Sequence, residues 1–466
     1  MLIYHVDMNS VAFRVEAIRK LVRRAAELGY DAILWELADK VRWECYPGGV
    51  HPEALTKAEF RAILAEASQL GLESIPLMQV LGHVGSSSSQ TEDKPSQEAL
   101  DGHDASCPET QPSLEGLFHE YLGLFGSVRS FHLGGDEVSR FGEQPGHANR
   151  NRADLGPDFE AIYKELREKG IRPCCWHDII LSDADLKSVE MLPRDFLLFL
   201  CDYTATVGDF AECEKRMDTL LSLGFEVVLC GSVQSAGEDP FVGSFRRHAD
   251  NCGTLAYLVH KYGLPGLCAT SWSIWGAPKG LQISIMDFAS RCYHDNSLSS
   301  LDGIRFEIRE RYLGVAKIQY IHDLMCCPPG LPFFTSIGWT GSENAPFPGD
   351  GCAKRFFDKE DKEMAVLRGK VTEELAGVLY RFQVARKELC MLPSRTPIVS
   401  LLLQGAELKV FYLRSMLDIL EGRPINRVTA EAARFSTEAF YGKEQRRISA
   451  RRFSEIVWKK ILQFAS

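Results

Sequence analysis

Across roughly the first 270 residues, two hydrophobic patterns take turns. Short apolar runs at 2–7, 31–36, 73–79, 129–133, 172–176, 196–201, 225–230 and 266–270 read as strands. Between them, residues 11–28, 56–70, 113–125, 158–169, 209–223 and 246–262 repeat apolar positions at helical spacing, and glycines such as Gly29 and Gly71 stop several of them. Eight strands in such alternation predict an α/β chain folded as a (β/α)8 (TIM) barrel. A doubly wound open sheet is the alternative, but no G-x-G-x-x-G follows the first strand to support it.

The pattern then changes. Residues 363–391 and 397–421 carry long helical repeats and 429–464 shorter ones, which predicts an all-helical module after the barrel. A Gly-, Pro- and Asn-rich stretch at 339–361 separates the two. The expected organisation is a catalytic barrel at 1–338, a linker at 339–361 and a helical domain at 362–466. Residues 83–112 are too long and polar for an ordinary connection and read as a rim loop or lid. Arg446, Arg447, Arg451 and Arg452 make the last helices basic, as a solvated face or a patch for an acidic partner does.

Composition narrows the function classes. The 466 residues, 45% hydrophobic, suffice for a large core. A formal net charge of −10 disfavours non-specific nucleic-acid binding. No run approaches the roughly 18 apolar residues of a membrane span, and residues 1–7 enter a strand without a signal peptide. The 14 cysteines lack the C-x-x-C spacing of zinc sites and read as buried free thiols. A cytoplasmic location is expected, the alternative being export with the leader absent. Neither membrane nor nucleic acid is an expected partner, and the amphipathic tail helices leave room for a homodimer.

The chemistry concentrates at 129–138, Arg-Ser-Phe-His-Leu-Gly-Gly-Asp-Glu-Val. An apolar run breaks at two glycines and then offers adjacent carboxylates, Asp136 and Glu137, where a barrel strand meets its ligand. Two neighbouring carboxylates resist joint ionisation, which suits one acid kept protonated beside one kept charged. Other polar and aromatic residues fall just after strand ends: Asp7, Glu36, His83, Trp176, Asp178, Asp202, Tyr203 and Trp272.

The motif His-Leu-Gly-Gly-Asp-Glu resembles the signature of glycoside hydrolase family 20, the β-N-acetylhexosaminidases. Further blocks follow in that family's order: His-Val-Asp-Met-Asn at 5–9, Glu36 with Asp39, Ile-Pro-Leu-Met-Gln-Val-Leu-Gly-His at 75–83, Trp-His-Asp at 176–178, Asp-Tyr-Thr-Ala at 202–205 and Thr-Ser-Trp at 270–272. They are similar to the hexosaminidase D type. The resemblance implies an exo-acting enzyme that removes a terminal β-linked N-acetylglucosamine or N-acetylgalactosamine from a glycan or glycoconjugate, without metal or cofactor. It also resolves the adjacency of the carboxylates, since in this family the substrate's own acetamido oxygen is the nucleophile. By resemblance Glu137 is the general acid and base, Asp136 balances the acetamido N–H, and Tyr203 orients the acetamido carbonyl. Trp176 and Trp272 would wall the sugar; His83, Asp178, Asp202 and Glu36 would bind hydroxyls, and His132 would support the carboxylates.

Two other readings stay open. A metal-dependent sugar isomerase would gather Glu36, His83, Asp136, Glu137 and Asp178 around one divalent ion. A silent glycan-binding barrel would keep the fold without the chemistry.

Overall fold

The structure is a computed structural model that describes residues 1–45, 50–80, 111–135, 156–178, 192–234, 241–242, 245–272, 279–295, 302–303, 362–392 and 397–466. Two compact units divide the chain: Met1–Val233 with Arg247–Ser273 and Ile285–Arg305, and Gln234–Arg246 with Ile274–Ser284 and Phe306–Ser466.

The first unit is the expected barrel. Strands β1 (Leu2–Asp7), β2 (Ala32–Glu36), β3 (Glu73–Leu77), β4 (Ser130–His132), β5 (Arg172–Trp176), β6 (Leu197–Cys201), β7 (Glu226–Gln234) and β8 (Gly266–Ser271) pair in sequence order and close β8 onto β1. Helices α1 (Val15–Glu27), α2 (Lys57–Gln69), α3 (Gln111–Phe125), α4 (Gly156–Glu168), α5 (Ala211–Ser222), α6 (Phe245–Tyr262) and α7 (Ile283–His294) alternate with them. Helix α2 begins with a capping box, in which Thr56 accepts from the Glu59 N–H while Glu59 accepts from the Thr56 N–H, satisfying two otherwise orphaned donors.

Side chains alternate across a strand with a period of two, and this places the polar rim. The interior core holds Ile3, Leu34, Leu77, Phe199, Cys230 and Cys268. Two residues further along the same strands or their ends come His5, Glu36, Gln79, Cys201, Ser232 and Thr270. On these six strands the interior therefore changes from apolar side chains to polar or thiol-bearing ones within one residue pair, towards the strand ends.

Two elements differ from the pattern. Strand β7 continues through Gly231 to Gln234, beyond the 225–230 run read from the sequence. A Cβ at Gly231 would stand 3.0 Å from Asn251 Oδ1 and 3.2 Å from Cys252 Sγ, so the glycine admits helix α6 to the strand and does not break it. Helix α7 lies outside the predicted helices; its buried Met286, Phe288, Ala289 and Cys292 complete the outer layer, and the Met286 carbonyl accepts from Tyr30 Oη at 3.1 Å.

The second unit is helical. Helices α8 (Lys362–Cys390) and α9 (Pro397–Leu420) pack as one pair, α10 (Arg427–Tyr441) and α11 (Arg447–Phe464) as another. Leu375, Val378, Phe382, Ala385 and Leu389 form the buried stripe of α8. Trp458 anchors α11, its indole N–H donating to Thr437 Oγ1 at 2.8 Å. Segments 234–246 and 274–284 belong to this unit: the backbone N–H groups of Lys279 and Gly280 donate to the Glu444 carboxylate.

Phe199 is fully buried in the barrel core, edge-on to His132 and Trp176. Phe199→Ala should cost about 3–5 kcal/mol in chemical denaturation of the barrel, the usual toll of deleting a buried ring. A loss below about 1 kcal/mol would contradict this packing.

Candidate active site

A buried carboxylate holds the first three strands together at the rim. Glu36 is 1% exposed and lies 3.0 Å from His5 Nε2. It also accepts from Asn9 Nδ2 at 2.5 Å and from Gln79 Nε2 at 3.0 Å. The Ser271 N–H points at His5 Nδ1 at 3.4 Å, which leaves the imidazole proton on Nε2, facing Glu36. Asn9 is itself fixed by its N–H donating to Asp7 Oδ1 at 2.7 Å, and its carbonyl accepts from Lys40 Nζ. Lys40 also pairs with Asp39. Glu36, expected to bind a sugar hydroxyl, is thus occupied by three protein donors; burial of a charge demands such pairing.

The next strand end carries the motif. The Gly134 N–H donates to His132 Nδ1 at 3.1 Å, and the Gly134 carbonyl accepts from the Trp176 N–H at 2.9 Å. Gly134 and Gly135 have φ of 69° and 96°, a region that favours glycine. A Cβ on Gly134 would also fall 1.9 Å from Gln79 Oε1, so the first glycine makes room for the amide that holds Glu36. His132 is fully buried; burial, helped by the nearby His5, holds its pKa well below the ordinary value and keeps it neutral.

Aromatic rings line the interior beyond it. Trp176 lies 4.4 Å from His132 and 5.4 Å from Trp272, and Trp272 lies 4.8 Å from His5, centroid to centroid. The buried atoms Gln79 Oε1, His132 Nε2 and Trp176 Nε1 have no hydrogen-bond partner among the described residues. Such groups are costly to leave unpaired, which marks this wall as one that gains from polar company.

Tyr203 follows β6 on a turn tied from every side. Asp202 Oδ1 accepts from the N–H groups of Thr204 at 2.9 Å and Ala205 at 2.8 Å and from Thr204 Oγ1, while Oδ2 pairs with Arg216 of α5. Asn251 of α6 donates to the carbonyls of Asp202 at 2.9 Å and Ala205 at 3.0 Å. Asp202 is 3% exposed, and its carboxylate builds the turn. Asp202, expected to bind a sugar hydroxyl, has its oxygens engaged within the protein and takes a structural part in the turn. What the turn presents is Tyr203, whose hydroxyl accepts from Trp272 Nε1 at 2.7 Å. Burial, followed by the charge of Cys201, raises the Tyr203 pKa well above ordinary, so the phenol keeps its proton.

His177 and Asp178 close the fifth strand end with an Nδ1–Oδ1 distance of 2.6 Å. Burial opposes charge on His177, but hydrogen bonding to Asp178 and Cys201 outweighs it and lifts the imidazole to about 9. Asp178 is partly exposed, and this pairing is its described role.

Of the predicted residues, the structure gathers Trp176, Trp272 and Tyr203 at one end of the barrel. Asp136, Glu137 and His83 lie outside the described residues. No three His, Cys, Asp or Glu side chains gather as a metal-ligand set among the described residues. Sequence reading gave no role to Asn9, Gln79, Arg216 and Asn251. Gln79 was legible as the polar end of an apolar run, whereas Asn251 is one polar residue in a helix and gives no such signal.

The barrel has relatives among solved structures. A β-N-acetylhexosaminidase from Bacteroides fragilis superposes with a TM-score of 0.52 at 15% identity, covering 68% of this chain and 70% of that one. A chitobiase from Flavobacterium johnsoniae gives a TM-score of 0.49 at 16% identity, covering 98% of this chain and 77% of that one. At such identity the first likeness establishes a shared fold. No protein-family model and no curated protein sequence matches the chain.

Burial alone would raise the Asp202 pKa, but the Thr204 and Ala205 N–H groups and the Arg216 charge outweigh it and hold it below the ordinary value. A depressed folded-state pKa gives stabilisation that is present above the unfolded value, about 4, and is lost as pH falls through the folded value. Asp202→Asn should therefore cost about 1–3 kcal/mol at pH 7 and progressively less below pH 4, read by urea unfolding. An equal cost at both pH values would contradict the ionised turn.

Proposed function

We propose that the chain is a retaining exo-β-N-acetylhexosaminidase of glycoside hydrolase family 20 acting on glycans or glycoconjugates. The observation that carries the reading is the Trp272–Tyr203 hydrogen bond of 2.7 Å beside the Trp176 wall. The tryptophan N–H occupies an acceptor site of the phenol, which leaves the Tyr203 proton to be donated. A protonated phenol beside an aromatic wall suits an N-acetyl group, whose methyl needs an apolar surface and whose carbonyl needs a donor. The His-Leu-Gly-Gly-Asp-Glu sequence at the end of β4 supports the reading, as does the barrel shared with the Bacteroides fragilis β-N-acetylhexosaminidase.

In this mechanism Tyr203 aligns the acetamido carbonyl so that its oxygen attacks the anomeric carbon as Glu137 protonates the departing oxygen. Asp136 accepts from the acetamido N–H and balances the positive charge that develops on the oxazolinium ring. Glu137 then takes a proton from water, which opens the ring and restores the β configuration. Asp136 contributes mainly along the reaction path, since the charge it balances is absent from the bound substrate. Trp176 and Trp272 exclude water from the acetamide, while Glu36, His5 and Gln79 hold the neighbouring rim in place.

Purified protein should cleave aryl N-acetyl-β-glucosaminide or galactosaminide and leave the unacetylated β-glucoside intact, with activity surviving exhaustive chelation. Glu137→Gln should lower kcat by about 10² to 10⁴ on poor leaving groups. Tyr203→Phe should cost about 10² to 10³, the range for losing one donor to a developing charge. Equal cleavage of the unacetylated glucoside would overturn the assignment.

A further inference from the structure

Helix α6 reaches the turn that carries Tyr203 through one amide. Asn251 is 1% exposed, and every polar atom of its side chain meets backbone. Its Oδ1 accepts from the Ser232 N–H at 3.1 Å, so the two Nδ2 hydrogens face the carbonyls of Asp202 at 2.9 Å and Ala205 at 3.0 Å. Those carbonyls stand on either side of Tyr203 in the chain. The Asp202 carbonyl belongs to the peptide unit that also contains the Tyr203 N–H, and a peptide unit is planar. Fixing that carbonyl therefore fixes the plane from which the Tyr203 side chain projects. The preceding peptide is held too, by the Asp202 N–H donating to the Cys230 carbonyl at 3.0 Å. Further along, the Val207 N–H donates to Asp250 Oδ1 at 2.8 Å, so two successive residues of α6 grip 202–207.

An asparagine suits this place and its isosteres do not. Aspartate would set a third oxygen against two carbonyls, and leucine would leave two buried acceptors and a buried donor without partners. Strand β7 is shaped to admit the amide, since a Cβ at Gly231 would press on Asn251 Oδ1. On the far side of the turn the Tyr203 hydroxyl accepts from Trp272 Nε1 at 2.7 Å. The phenol is thus fixed at its root by α6 and at its tip by the residue after β8.

We infer that Asn251 is a positioning residue for the hydrolysis, acting through Tyr203 by fixing the peptide from which the phenol projects. With its amide engaged by backbone at all three positions, it contributes only by where it holds that phenol. The effect on hydrolysis rests on the proposed function; the hold on the phenol does not.

The test compares Asn251→Leu, Tyr203→Phe and the double variant in the full chain, by kcat on an aryl N-acetyl-β-hexosaminide. Asn251→Leu should lower kcat by about 10², the cost of misplacing a group by roughly 1 Å, with KM changed less than about threefold. In the Tyr203→Phe background the same change should cost less than about threefold more, because residues acting as one unit do not add. A second readout is the ¹⁵N–¹H resonance of the Trp272 indole, assigned with Trp272→Phe. In Asn251→Leu it should move toward its place in Tyr203→Phe. In Phe60→Leu, a buried change on α2 that controls for loosening alone, resonance and kcat should stay as in the parent. Where Asn251→Leu does not fold, Gly231→Ala carries the test. Its Cβ would stand 3.0 Å from Asn251 Oδ1 and removes no polar group, so kcat should fall about tenfold with the same indole shift. A Trp272 resonance that stays in place in these variants overturns the positioning role, whatever the activity. Losses that multiply in the double variant overturn the route through Tyr203. A chain without hexosaminidase activity, or Tyr203→Phe at full kcat, overturns the proposed function instead, and the indole shift still decides whether Asn251 holds the phenol.

Discussion

A carboxylate removed from water must find donors or give up its charge. That constraint organises the barrel rim at two places. Glu36 draws His5, Asn9 and Gln79 together and so fixes the ends of β1, β2 and β3 to one another. Asp202 draws in the backbone of its own turn and Arg216 of α5, and Asn251 of α6 secures the same turn from its carbonyls. Between these two fastenings stand Trp176, Trp272 and Tyr203, side chains that would otherwise have several rotamers available at a strand end. The rim is therefore pre-organised by charge burial on either side of an aromatic wall, and little ordering remains to be done when a ligand arrives.

This arrangement separates two kinds of acidic residue that a sequence shows as equivalent. Protein donors engage the oxygens of Glu36 and Asp202, which gives both a part in holding the rim. Asp136 and Glu137, which follow the two positive-φ glycines, are proposed to face the reacting bond. The glycines contribute twice, by turning the chain after β4 and by leaving room for Gln79, whose amide supports Glu36. One short motif thereby links the proposed catalytic carboxylates to the buried ion network.

The eight strands were legible because each is a short apolar run bounded by turn residues, and their parallel pairing follows from the helices between them. Strand β7 extends past its apolar run because Gly231 serves close packing, which depends on helix α6 further along the chain. Tyr203 and Trp272 were legible as candidates by their place after strand ends, and the hydrogen bond between them was not. Asp202 illustrates the limit of reading by position, since an aspartate after a strand suits a ligand or its own turn equally, and the ties to Arg216 and Asn251 come from helices the local sequence does not reveal.

The central claim is that the nucleophile belongs to the substrate's acetamide, oriented by Tyr203. The most direct measurement is the rate of hydrolysis along a series of aryl glycosides bearing N-acetyl, mono-, di- and trifluoroacetyl groups. Each fluorine withdraws electron density from the attacking carbonyl oxygen, so the account predicts a progressive fall in kcat/KM along the series. A flat series, together with a product of inverted configuration, would contradict it.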